Sequence, residues 1–270
     1  MIQALCTLDG APADLDPRFD ITGAALHDSL PKFSLPAGLP RDSILSGEVL
    51  PGLATALATP LLQNCPCLSQ ARRALEQTAL IACFINKNAQ LPHFWKPDIN
   101  ATRLLGPAAH HILSIPRFRV DIAQRFFTDD EVFCEVIRLA LLILMSGLKN
   151  AFSLTTGEMG AFQQKFQNIL PLVPGVVEFC PELSLWSLII VACSYTRPRP
   201  LSLITAIHQS MVRMGIQTAT EAITIAQSII WVESLMGYEA ETLIVDIAHH
   251  SPDSPVWESV TSLMHSAMLH

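Results

Sequence analysis

Residues 131–148, EVFCEVIRLALLILMSGL, are apolar almost all the way round a helix. That pattern marks a segment buried on every side at the centre of an all-helical body. Thr128, Asp129, Asp130 and Glu131 form its start signal, with side-chain oxygens for the free amides and negative charge for the positive end of the helix dipole. No charge occurs from Leu139 to Leu148, and Arg138 is the one interior cation.

Other stretches carry the same period. Residues 68–89 place Leu75, Ala79, Ile81, Ala82 and Ile85 at helical spacing behind Ser69 as cap, and residues 99–115 form a helix closed by Pro116. Residues 156–170 put Met159, Phe162, Phe166, Ile169 and Leu170 on one face. Pro181 opens a helix carrying Leu183, Leu185, Trp186, Leu188, Ile189, Ile190 and Val191. Residues 201–214 end at Gly215, a carboxyl-terminal stop. Thr218-Ala-Thr-Glu221 is a capping box for a helix over residues 222–236, stopped by Gly237. Ser254 and Pro255 open a last helix over residues 256–269. No segment alternates with period two, and no Asn-Gly or Asp-Gly hairpin turn occurs. The fold class is all-α: one domain of about eight to ten helices over residues 46–270. A Pro-rich arm precedes it over residues 1–45, where Pro12, Pro17, Pro31, Pro36 and Pro40 forbid long helices.

Composition narrows the class. Half of the 270 residues are apolar, 15% are charged, and mean hydropathy is +0.37, which favours a compact body over disorder. A membrane span needs about 18–20 apolar residues in a row, and the longest charge-free apolar run here is too short. The amino terminus, MIQALCTLDG, has no basic lead and reaches Asp9 early, unlike a secretory signal. The expected location is intracellular, in nucleus or cytoplasm. Net charge is −7, and the 17 Lys and Arg are scattered, clustering only as the pairs Arg72-Arg73, Arg117/Arg119 and Arg197/Arg199. Phosphate contacts supply most DNA affinity, so direct DNA binding by this chain is not expected. Seven cysteines, mostly in apolar runs, read as free thiols in a reducing compartment; Cys65-Pro-Cys67 lacks the usual zinc spacing.

Four pieces in order resemble the regulatory domain of fungal zinc-binuclear-cluster transcription factors. His110-His-Ile-Leu-Ser-Ile-Pro116 is similar to a short leucine-rich stretch before a proline. Residues 131–148 resemble the family's apolar helix, with Cys134 displaced and Arg138-Leu-Ala140 retained. Pro181-Glu-Leu-Ser-Leu-Trp186 resembles its tryptophan-led helix, and Thr218 to Glu233, ending Ile-Ile-Trp231-Val-Glu233, resembles its late amphipathic helix with an apolar-Trp-acidic signature. The likeness covers roughly residues 100–250. It departs from the family in three respects: no cysteine-rich cluster precedes these residues, no basic segment follows one, and Arg197-Pro-Arg-Pro-Leu201 stands where the family has an Arg-x-Trp-Phe-like element. The resemblance implies a regulatory protein without its own DNA-binding head. It would act through a protein partner, a homodimer or a sensed ligand, and would serve a specialised-metabolism gene cluster.

Catalytic motifs are sparse. Asp129-Asp130-Glu131-Val-Phe133 echoes the magnesium motif of class I terpene cyclases, but the nearest second ligand set, Asn150 to Glu158, has Leu154 at its middle position and lies too close. No metal site is assigned: Asp129 and Asp130 are candidates that capping accounts for without a metal. Asp246 and His250 share a helical face as half a metal site that nothing nearby completes, and His249 and His250 suit a helix carboxyl end. Gly-x-Ser-x-Gly, Gly-x-Gly-x-x-Gly and P-loop patterns are missing. No catalytic residue and no cofactor is assigned. Arg138, buried on an apolar helix, needs a carboxylate from Glu131, Glu135, Glu178 or Glu182. With Trp186, Trp231, His110 and His111 it forms the candidate lining for a hydrophobic small molecule; Trp95 and Trp257 are further aromatics of that kind. A competing expectation is a specialised-metabolism enzyme of cyclase or isomerase type, working by orientation and exclusion of water in an enclosed pocket of this scaffold.

Overall fold

The computed structural model describes residues 50–59, 66–91, 94–95, 99–116, 128–154, 158–173 and 180–250. All belong to the unit Leu39–His270. The Pro-rich arm, Cys65, Glu178, Trp257 and the expected helix over residues 256–269 lie outside them.

Nine α-helices and no strands occur among the described residues, an all-α domain as the period of the sequence requires. They are α1 (Pro51–Leu57), α2 (Pro66–Asn88), α3 (Ile99–Ser114), α4 (Asp129–Ala151), α5 (Met159–Ile169), α6 (Pro181–Cys193), α7 (Leu201–Met214), α8 (Ala219–Gln227) and α9 (Glu233–His249); a 3₁₀ turn, Leu170–Leu172, extends α5. No described helix is long and apolar enough to cross a membrane.

The centre is a pair of helices. α4 is buried from Val132 to Leu148 and packs against α2, α3, α5, α6 and α9. α6 is buried from Leu183 to Cys193 and packs against α1, α4, α7, α8 and α9. Each is apolar around its whole circumference because each is covered on every side. The expected single central helix is therefore one of two.

Local signals place several ends. The Thr128 hydroxyl accepts from the Glu131 amide, and the Glu131 carboxylate accepts from the Thr128 amide at 3.2 Å, so α4 opens in a full capping box. Gly215 closes α7 at φ +70°, a conformation that costs a side chain but not glycine. Thr218 caps α8 through the Glu221 amide at 3.1 Å, while the Glu221 carboxylate takes the Gln217 amide instead of the Thr218 amide. α2 opens at Pro66, so Ser69 lies inside its first turn and is not its cap.

The expected helix over residues 222–236 is in fact two. α8 stops at Gln227, residues 228–232 leave the helical path, and α9 begins at Glu233 and runs through Gly237. The link carries Ile229, Ile230, Trp231 and Val232, all buried. Its apolar pattern is the same whether the chain is coiled or extended, so periodicity alone does not reveal the break. The link's backbone groups find partners from distant elements. Trp186 Nε1 donates to the Ile230 carbonyl at 2.8 Å, Asn86 Nδ2 to the Trp231 carbonyl at 2.7 Å, and the Leu53 amide to the Ser228 carbonyl at 3.2 Å. Asn86 Oδ1 accepts from the Glu233 amide at 3.0 Å, serving α9 as a cap that its own Val232 cannot supply. Gly52 lets α1 come this close, because a Cβ there would overlap the Ser228 hydroxyl.

Asn86 is exposed, yet its amide holds two groups on the link. Asn86→Ala is expected to lower unfolding free energy by about 1–3 kcal/mol through two orphaned backbone groups. Lys87→Ala beside it stays within about 0.5 kcal/mol. Urea denaturation of both variants reads the difference.

Candidate functional site

The residues singled out from sequence are mostly committed to packing. Arg138 is buried on α4 and bonded in a fork to Glu135, Nε to Oε2 and Nη2 to Oε1, each at 2.7 Å. This is the partner expected on its own helix. A bidentate pair at i and i+3 suits the planar guanidinium. Trp186 is wholly buried, and its indole nitrogen is spent on Ile230. Trp231 is buried as well and donates from Nε1 to Glu233 Oε2 at 2.8 Å. In that bond the acidic residue two positions on takes the one polar atom of the indole. Trp95 belongs to an aromatic cluster with Phe84, Phe94 and Phe152.

His110 and His111 stand edge-on, 5.8 Å apart, near the end of α3. His110 is exposed and His111 half-buried. Partial burial, then the neighbouring His110 and Arg73, lower the pKa of His111, while Glu76 opposes them. Asp129 and Asp130 sit in the first turn of α4, the place their negative charge favours. No group of three or more metal-ligating side chains occurs among the described residues.

One cluster escaped sequence reasoning. Arg199 precedes α7, and its side chain is 1% exposed. It makes five hydrogen bonds: Nε to the Ala192 carbonyl at 2.9 Å, Nη1 to Asp246 Oδ2, and Nη2 to the Glu239 carbonyl, Glu239 Oε2 and Thr242 Oγ1. Arg197 adds Nη2 to the Thr242 carbonyl at 2.7 Å and an ion pair to Asp246 at 3.0 Å. Asp246, half of the metal site weighed from sequence, is thus an arginine acceptor. His250 Nδ1 lies 2.7 Å from the Asp246 carbonyl at the end of α9, a helix-end contact. The signal for this cluster was the pair Arg197 and Arg199 in a gap between helices, with two carboxylates seven residues apart on α9.

A partly open cleft of about 320 Å³ runs between α4, α5, α6 and α9. Ile143, Leu144 and Gly147 of α4, Ile190 and Cys193 of α6, and Leu235 of α9 form its floor and walls. None of Arg138, Trp186, Trp231, His110 and His111 lines it. Sequence reasoning passed over these residues because each reads as ordinary core. The Cys193 thiol is pushed up to about 12 by burial, with Arg199 opposing and Glu239 adding to the shift. Burial likewise raises Cys180 to about 11 and raises Cys83. These are packed, protonated thiols without the electropositive setting that activates a nucleophile.

Comparison with protein-family models, with curated proteins and with solved structures returns no match.

Two outcomes follow from this chemistry. Arg199→Lys keeps a charge but loses the fork, and is expected to cost about 2–4 kcal/mol in urea unfolding. Arg197→Lys, whose side chain is 48% exposed, costs under about 1 kcal/mol. Unfolding returns Cys180 and Cys193 to the ordinary value near 9. Because the folded values lie above it, the stability gained by keeping these thiols neutral is complete below pH 9. It drains as pH rises toward 11 and 12. Urea midpoints should fall across that window, and Cys193→Ala should flatten part of the fall.

Proposed function

We propose that this chain is a regulatory domain of the fungal transcription-factor type, acting through a protein partner or a second copy and not through a DNA-binding head within these 270 residues. The observation that carries the reading is the way the four resembling pieces come together. α3, which bears His110 and His111, packs on α4; α4 packs on α6; and α6 reaches the Trp231 link through Trp186. These pieces form one another's packing surfaces, which fits a set of motifs that share one core.

The charge balance supports the same reading. With a net charge of −7, with Lys and Arg scattered along the sequence and Arg138 and Arg199 buried in ion pairs, the chain offers phosphate groups little. The cyclase or isomerase alternative calls for an enclosed pocket with converging polar groups. The cleft between α4 and α9 is partly open and has no carboxylate in its lining, so the regulatory reading is preferred.

The test is transcriptional. The full chain is fused to a heterologous DNA-binding module and expressed with a matching reporter in a fungal host. The expected result is a several-fold change in reporter output, with no binding of unfused chain to DNA at physiological salt. A fusion that is stable, nuclear and silent overturns the proposal.

A further inference from the structure

We infer that the cleft between α4, α5, α6 and α9 is a binding site for a small, uncharged, largely apolar molecule with one hydrogen-bonding group. Gly147 lets α9 close against α4 at one wall of the cleft: a Cβ there would stand 3.0 Å from Leu235 Cδ2. Two unbranched side chains, Met159 and Met236, line it. Methionine is the apolar residue best able to reshape around a guest.

The lining sets the charge of the guest. No Asp, Glu, Lys or Arg lines the cleft, and the charged groups beside it are engaged with one another: Lys149 with Glu158 at 3.8 Å, and Arg199, near Cys193, with Glu239 and Asp246. An ion placed here would lose its hydration without a counter-charge. The amide and hydroxyl side chains of the lining are Asn150 and Ser194. The Ser194 hydroxyl is held in place, donating to the Val191 carbonyl at 2.6 Å and accepting from Gln163 Nε2 at 3.0 Å. Its oxygen is therefore an oriented acceptor for a hydroxyl or amine on the guest. The volume, about 320 Å³, lies at the small end of ligand sites. At the ~30 Å³ that a water molecule occupies in the liquid, it holds roughly ten non-hydrogen atoms.

The site would give the regulatory reading an input, and it rests on that reading only for its biological purpose. The probe is 2-naphthol, an uncharged bicycle of this size with one hydroxyl, set against its charged relative 2-naphthoate. Both are titrated into the 270-residue chain labelled with ¹³C at the methionine methyls. The expected result is saturable movement of the Met159 and Met236 signals by 2-naphthol, with Met211 on α7 unmoved and 2-naphthoate at least about tenfold weaker. Ala151→Leu, which fills the cleft from α4, should weaken 2-naphthol about tenfold. Wild-type titration alone decides the matter if that variant does not fold. No saturable shift at Met159 and Met236 up to about 1 mM overturns the site, as does equal binding of the anion. A chain that binds 2-naphthol yet is silent in the reporter keeps the site and loses the regulatory reading; the reverse result loses only the site.

Discussion

The backbone of residues 228–232 must be satisfied inside an apolar core, and much of the domain is arranged to do it. A buried carbonyl or amide without a partner costs about 1–3 kcal/mol, so a five-residue break between two helices is untenable unless other elements supply donors and acceptors. Here three do. α1 brings the Leu53 amide, α2 brings the Asn86 amide group, and α6 brings the Trp186 indole. Those contacts tie α1, α2 and α6 to the same short link, after which α9 begins as a separate helix. The aim of α9 then decides what it meets: Leu235 comes onto Gly147 of α4, and Glu239 and Asp246 come onto Arg199.

α9 is held at more than one place along its length. At its start, the Glu233 amide donates to Asn86 Oδ1 and the Glu233 carboxylate accepts from the Trp231 indole, where the helix dipole favours negative charge. Along its length, two arginines bind carboxylates one above the other. The Arg199 cluster also takes the Ala192 carbonyl, one of the last of α6, which accepts from the Tyr195 amide as well. A guanidinium suits this position because its donors fan out in one plane, so a single side chain joins α6 to α9. Packing in the interior and charge near the surface therefore hold the same pair of helices.

Helix existence, and the starts of α4, α6 and α8, could be read from the sequence because their causes are local. Thr128, Pro181 and Thr218 act within a turn of the helices they begin, and Gly215 acts by its own backbone freedom. What stayed illegible is non-local. Asn86 meets Trp231 and Glu233 across about 145 residues of chain, and nothing near Ser228 announces the break. Gly237 looked like a stop because glycine often is one; inside α9 it is tolerated on a helix fixed by tertiary contacts. The candidate site divides in the same way. Arg138 found the partner on its own helix, but Asp246 looked half of a metal site because its real partners, Arg197 and Arg199, lie nearly fifty residues earlier.

Commitment of the polar interior has a functional consequence. Each tryptophan nitrogen in the core already has an acceptor, Arg138 and Arg199 are chelated, and the thiols of Cys180 and Cys193 are held protonated by burial. Groups so engaged cannot turn toward a substrate without losing contacts worth several kcal/mol, on the usual cost of breaking buried pairs. Any input to this domain must therefore enter where contacts are fewer and side chains adaptable. The cleft beside Met159 and Met236 meets that condition, and it is walled by α4, α6 and α9 together. A molecule lodged there would press on Leu235 two residues from the Asn86 cap. Through Leu235 the start of α9, and with it the link that organises the fold, would feel whether the cleft is filled.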